Sequence, residues 1–318
     1  MRILFFLIAF SLTAQSKAQK SQVIQTASEK DLIPEGIAVN AATGTIYISS
    51  IAKQKIIAVD SNGAVSDFVK TGDNGYLEGL GMKVEKEKNL LWTLSNKKEG
   101  RMHSSKLLAF DLQTGKLVKQ FSSTDTAERL FNDLTIDASG TIYFTDTYYS
   151  ALLKANRDSD KLEIVAEGKE LSYPNGITTG KQGNIYVATY SKGIVRIDAA
   201  TKKVHQLQGY TDTVMAHNLD GLMYWKNTLI GVYNVAKNNA DNAIVQYKLN
   251  EAGDKIIEER IIDKGNLQFK EPTTIDIANG FLYVLANSHL AVYNANKESV
   301  KGVEQQLSPV VILKYKLQ

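Results

Sequence analysis

The sequence predicts an all-β chain folded as a six-bladed β-propeller. Three observations carry this. The first is a recurring short phrase: Pro34-Glu35-Gly36-Ile37, Leu77-Glu78-Gly79-Leu80, Phe131-Asn132-Asp133-Leu134, Pro174-Asn175-Gly176-Ile177, Leu219-Asp220-Gly221-Leu222 and, more loosely, Lys270-Glu271-Pro272-Thr273. The residue at its heart is always a carboxylate or an amide, and successive copies stand 43 to 54 residues apart. The second is a β-rich run that follows most of these phrases after a turn: Ile46–Ser50, Leu90–Leu94, Ile142–Asp146, Ile185–Thr189 and Phe281–Leu285. The third is a further apolar run and then a more polar outer one, as in Lys106–Asp111 followed by Lys116–Phe121. Four strands per unit with a period of roughly 40–50 residues describe a propeller blade.

Taken in order, the chain opens with Arg2, an apolar stretch Ile3–Phe10 and a small, polar stretch Ser11–Ala18. That is the pattern of a cleaved export leader, and it is short for a membrane span. We expect residues 1–19 to be a signal peptide and residues 20–318 to be a single propeller domain, secreted or periplasmic. The last unit begins near Phe269 and offers three clear strands before Gln318. Its fourth is expected from Gln22–Thr26, which would tie the termini together and cover an open edge. Longer spacings hold inserts at Asn96–Ser105, Val235–Asn242 and Asn294–Ser308, candidates for loops around a substrate entrance.

Composition narrows the chemistry. The chain has no cysteine, so thiolate catalysis and thiolate metal sites are excluded. Its four histidines, at 103, 205, 217 and 289, lack zinc-motif spacing. The formal charge of +3 falls to +1 once residues 1–19, which carry Arg2 and Lys17, are removed. That balance gives no footprint for nucleic acid. No later stretch is apolar enough for a membrane span, and a monomer is expected.

Each heart residue precedes or begins an innermost strand, so in a closed ring it faces the axis. Glu35 and Asp220 bring two negative charges, and Asn132 and Asn175 bring neutral carbonyls. Such hard oxygen ligands suit Ca²⁺, with Mg²⁺ or Mn²⁺ as alternatives. Carboxylates crowded in a channel without a cation would repel one another. Asn and Asp also stand before strands for turn reasons alone. That accounts for one or two positions, and less well for the apolar neighbours Ile37, Leu134, Ile177 and Leu222.

These phrases give the chain a family likeness. The order of Pro34-Glu35-Gly36, Asn132-Asp133-Leu134 with Gly140–Asp146, Pro174-Asn175-Gly176-Ile177 and Asn218-Leu219-Asp220-Gly221 resembles the family of senescence marker protein-30, gluconolactonase and luciferin-regenerating enzyme, related to the diisopropylfluorophosphatase and paraoxonase propellers. The resemblance covers about residues 30 to 318. It implies a six-bladed propeller with a catalytic Ca²⁺ held by Glu35, Asn132, Asn175 and Asp220. It also implies that Asp220 is the base or nucleophile. Glu78 departs from the pattern and is a second catalytic candidate, an outer carboxylate, a substrate contact or a direct ligand. The family's sugar-acid-holding arginine has no clear counterpart; Arg101 lies in an insert. His217 and His289 are candidates for the cavity wall or for structural roles, as are Tyr148, Tyr149 and Tyr190.

The expected function is a secreted Ca²⁺-dependent hydrolase of a small lactone or other ester-like substrate. One alternative is phosphotriesterase or arylesterase activity at the same site. Another is a non-enzymatic propeller with a structural ion that binds a ligand or protein. The fold alone does not choose between them.

Overall fold

The structure is a computed structural model, and it describes residues 21–26, 29–99, 102–123, 127–198, 200–211, 215, 217–234 and 238–318. The leader read at residues 1–19 and Arg101 lie outside the described residues, as does part of the insert at 235–242. The strands form six antiparallel four-stranded sheets. Blade 1 runs Pro34–Val39, Ile46–Ser50, Ile56–Val59 and Val65–Val69 from the axis outward. Blade 2 runs Glu78–Glu85, Leu90–Glu99, Met102–Asp111 and Leu117–Ser122. Blade 3 is Phe131–Ile136, Thr141–Asp146, Ala151–Asn156 and Leu162–Glu167. Blade 4 is Pro174–Thr179, Ile185–Thr189, Gly193–Ile197 and Val204–Gln206. Blade 5 is Leu219–Trp225, Thr228–Tyr233, Ala243–Leu249 and Ile256–Lys264.

Blade 6 takes Ile275–Ala278, Phe281–Leu285 and Val311–Lys316 from the C-terminus and Gln22–Gln25 from the N-terminus. Val23 pairs with Leu313, and the Thr26 amide donates to the Val310 carbonyl at 2.9 Å. The expected closure is present. The innermost strands adjoin in a cycle, with that of blade 1 touching both blade 2 and blade 6.

Six apolar clusters hold the ring, one at each blade interface. Between blades 2 and 3, Trp92 packs with Phe131 and Phe144; between blades 1 and 2, Tyr47, Tyr76 and Phe110 do the same work. The tyrosines of the second strands therefore pack blades, as their alternation with Ile and Val implies. Burying each such aromatic contributes about 1.5–3 kcal/mol.

The innermost strands are not regular. The ladder skips Glu35-Gly36, Leu80-Gly81, Asn132-Asp133, Asn175-Gly176 and Asp220-Gly221 in blades 1 to 5. Each skip is a bulge, which interrupts pairing and re-aims a side chain. The glycine has a steric reason. A Cβ on Gly36 would lie 2.0 Å from the Leu80 carbonyl oxygen, and one on Gly176 would lie 2.2 Å from that of Asp220. Hydroxyls on the second strands then rivet neighbouring blades. Ser49 Oγ accepts from the Gly36 amide at 2.7 Å and donates to the Leu80 carbonyl at 2.8 Å. Thr145 Oγ1 does the same between Asp133 and Asn175.

The register corrects the sequence alignment in two blades. In blade 2 the bulged residue is Leu80, and Glu78 pairs in the ladder with Asn96 two residues earlier. In blade 6 the equivalent of Glu35 is Thr273. Glu271 has a left-handed backbone (φ 63°), as do Ile33, Tyr173 and Asn218, each two residues before a ring residue. Pro272 then matches Pro34 and Pro174. The insert at 96–105 extends a hairpin, with Glu99 opposite Met102. The sixth-blade insert forms a six-residue helix, α1 (Leu290–Ala295), which no periodicity in the sequence announced.

Candidate active site in the central channel

A cavity of about 370 Å³ lies at the end of the channel where the innermost strands begin. All six heart residues named from the sequence line it: Glu35, Glu78, Asn132, Asn175, Asp220 and Glu271. They form two tiers. Glu35, Asn132, Asn175 and Asp220 sit on the bulges, at most 7% exposed. Glu78 and Glu271 stand two residues nearer the mouth, a displacement that follows from the register above.

The bulge tier leaves oxygens without partners. Glu35 Oε2, Asn175 Oδ1 and Asp220 Oδ1 are buried and make no hydrogen bond, and so is Asn234 Oδ1. A buried unpaired oxygen costs about 1–3 kcal/mol, so several converging on one cavity mark a binding site. The amide nitrogens are held from behind. Asn132 Nδ2 donates to Thr147 Oγ1 at 2.9 Å, Asn175 Nδ2 to Tyr190 Oη at 3.1 Å, and Asn234 Nδ2 to Asp220 Oδ2 at 3.2 Å. Because each nitrogen is engaged, the oxygens of Asn175 and Asn234 are the atoms left over.

Sequence reading missed Asn234 and Thr147. They leave the second strands of blades 5 and 3, where each backbone amide donates to a residue two before the ring position: Asn234 to Asn218, Thr147 to Leu130. Tyr190 occupies the same place in blade 4, donating to Tyr173. The sequence signal was the second-strand exit, one residue beyond each run.

Burial sets the electrostatics. It pushes the Glu35 carboxyl well above its ordinary value, and repulsion from Asp220 and Glu271 pushes it further. Burial also raises Asp220 to about 7, against the pull of the Asn234 hydrogen bond. Tyr190 is raised chiefly by burial, then by Asp220 and Glu35. Both ring carboxylates are thus disfavoured as anions without a positive partner.

Among the described residues no group of three or more His, Cys, Asp or Glu side chains is gathered to hold a metal. An ion here would rest on two carboxylates and neutral amide oxygens, the donor set that Ca²⁺ accepts. Other candidates fall elsewhere. His217 does not line the cavity. His289 packs behind it, with Nε2 2.9 Å from Ser308 Oγ, in a structural setting. Tyr148 lines the mouth, whereas Tyr149 stacks under Arg129, 3.9 Å from its ring centroid. Among the described residues no helix is long and apolar enough to cross a membrane.

Comparison with known proteins bears on the fold. No family model and no curated protein matches the chain. A gluconolactonase from Xanthomonas campestris matches with a TM-score of 0.60 at 13% identity, over 93% of this chain and 90% of that one. A virginiamycin B lyase from Staphylococcus aureus matches at 0.59 and 16%, over 84% and 82%. The PQQ-bound aldose sugar dehydrogenase from Streptomyces coelicolor matches at 0.61 and 9%, over 94% and 99%. The chain is a six-bladed β-propeller. At these identities the likeness is one of fold. Structures of this architecture carry lactonase, lyase and dehydrogenase chemistry, so the site has to argue the reaction.

Proposed function

We propose that this propeller is a Ca²⁺-dependent hydrolase of a lactone or related ester-like bond. The observation that carries the reading is the set of buried, unpartnered oxygens on Glu35, Asn175 and Asp220, converging from blades 1, 4 and 5. With Asn132 they form a ligand set whose two carboxylates balance one divalent ion. Mg²⁺ or Mn²⁺ would fit the same oxygens less well. Asn234 supplies a further carbonyl beside Asp220.

When bound, the ion would polarise the substrate carbonyl and stabilise its developing negative charge. The chain's own residues do the rest. Asp220 accepts the proton of the attacking water at Oδ2, the oxygen that Asn234 orients. Burial raises this carboxyl to about 7 in the metal-free site, and a bound cation would draw it back down, leaving it the anionic base at neutral pH. Tyr190 and Thr147 fix the amide planes of Asn175 and Asn132 so that their oxygens keep facing the cavity. Glu78 competes for the base role, but its place nearer the mouth favours Asp220. The leader at residues 1–19 would deliver the protein outside the cytoplasm, where millimolar-range calcium sites operate.

The test is a screen of lactones, aryl esters and phosphotriesters with metal-free protein, before and after Ca²⁺ is added. Lactone turnover that appears with Ca²⁺ supports the reading. Thermal stabilisation by Ca²⁺ without turnover would instead support a structural ion in a binding propeller. Phosphotriester turnover alone would move the substrate class.

A further inference from the structure

The cavity is one-sided in charge. Glu35, Glu78, Asp220, Glu271 and Glu298 line it, and among the described residues no lysine, arginine or histidine does. Its unpartnered buried oxygens mark it independently as a ligand site. One divalent ion balances Glu35 and Asp220. Three carboxylates then remain toward the mouth.

Those three are arranged differently. Glu271 Oε2 is engaged, accepting from the Ala291 amide at 2.6 Å at the start of α1. Glu78 and Glu298 line the same cavity; burial raises the Glu78 carboxyl, Glu298 raises it further, and Lys97, which is not among the cavity's lining residues, opposes it. Tyr148 and Tyr293 stand with them. Burial raises both phenols first, and both feel Glu78 and Glu298. Glu298 is exposed and Tyr148 half-exposed, so this cluster is open to an incoming molecule.

The geometry points to a substrate that carries an ammonium group, held at the mouth by Glu78 and Glu298 against the Tyr148 ring while its ester-like bond reaches the floor. This rests on the hydrolase reading and narrows its substrate class. Carboxylates and an aromatic face attract a cation together. A molecule bearing a carboxylate or phosphate would meet three like charges in a site that water only partly screens. A neutral polyol gains no such attraction.

Binding by lactams tests this without requiring turnover. Pyrrolidinones bearing an aminomethyl, a hydroxymethyl or a carboxylate group beside the ring nitrogen would be titrated calorimetrically into the Ca²⁺-treated full chain at neutral pH and low salt. The aminomethyl lactam should bind ~10-fold tighter than the hydroxymethyl one, and the carboxylate lactam weakest. The preference should shrink in Glu298→Gln and approach unity in Glu78→Gln/Glu298→Gln. Glu298→Gln lies on the exposed rim and keeps the fold, so it reports even where the double variant is unstable. Equal binding of the aminomethyl and hydroxymethyl lactams, a preference untouched by Glu298→Gln, or no binding of the aminomethyl lactam at millimolar concentration overturns the proposal. A preference without lactone turnover leaves it standing and sinks only the hydrolase reading.

Discussion

Asn234 donates its Nδ2 hydrogen to Asp220 Oδ2 at 3.2 Å, while Asp220 Oδ1 is buried without a partner. The two oxygens of one carboxylate are thereby given different tasks. One is oriented by the protein, and the other is left facing the cavity. Most of what the site is expected to do follows from that division.

Asp220→Asn keeps size and one carbonyl oxygen but removes the charge and the proton acceptor. Hydrolysis should fall by roughly 10²-fold or more, with the fold intact and Ca²⁺ bound more weakly. Glu78→Gln is the control. A larger rate loss at Glu78 than at Asp220 would transfer the base role to the second blade.

Asn234→Ala removes the bond that draws the Asp220 carboxyl downward. That carboxyl should rise further, so the acid limb of the pH–rate profile should move to higher pH. The rate at neutral pH should drop about 10-fold, the scale of one hydrogen bond to a charged group. An unmoved profile with the same rate would mean that Asp220 is not the titrating base.

Metal-free protein should lose stability as pH rises. The folded-state value of Asp220, about 7, lies above its ordinary 3.8, so the folded state binds the extra proton between them. The stabilisation is complete below the lower value and is lost as pH climbs through the upper one. Tm measured from pH 4 to 8 should therefore fall more steeply for the parent than for Asp220→Asn. Saturating Ca²⁺ should remove or reverse that difference. Parallel Tm curves for the two metal-free proteins would contradict the assignment.

Gly176→Ala tests the bulge. The new Cβ would stand 2.2 Å from the Asp220 carbonyl oxygen, and backbone must move to relieve it. We expect a cost of about 1–3 kcal/mol, read as a fall in Tm of several degrees. Calcium affinity should drop as well, because blade 4 is pushed from the strand that carries Asp220. Retained calcium affinity at lowered Tm would separate packing from the ion site.

Deleting Gln22–Thr26 should uncover the Val311–Lys316 edge. The expected result is a lower denaturation midpoint and concentration-dependent aggregation, since an open strand edge templates pairing. A truncated chain as stable and monomeric as the parent would show that closure does not depend on this strand.

The sequence by itself determined the blade count, the closure by Gln22–Gln25 and four residues of the bulge tier: Glu35, Asn132, Asn175 and Asp220. These were legible because they are local. Each blade repeats an apolar alternation and a turn, four of them add a bulge glycine, and a period is visible along one dimension. Tertiary structure alone decided what meets across the ring. It showed Leu80 and Thr273 at the positions that the phrases had given to Glu78 and Glu271, although Pro272, matching Pro34 and Pro174, was a readable sign of the second shift. It brought Asn234 against Asp220, and it placed Leu290 of α1, Glu298 and Glu78 in the lining of one cavity. The physical reason is that a slip of two residues in a strand keeps a side chain on the same face and preserves every apolar pattern. It moves the side chain only along the axis, and depth along the axis exists only once six separate blades have closed around it.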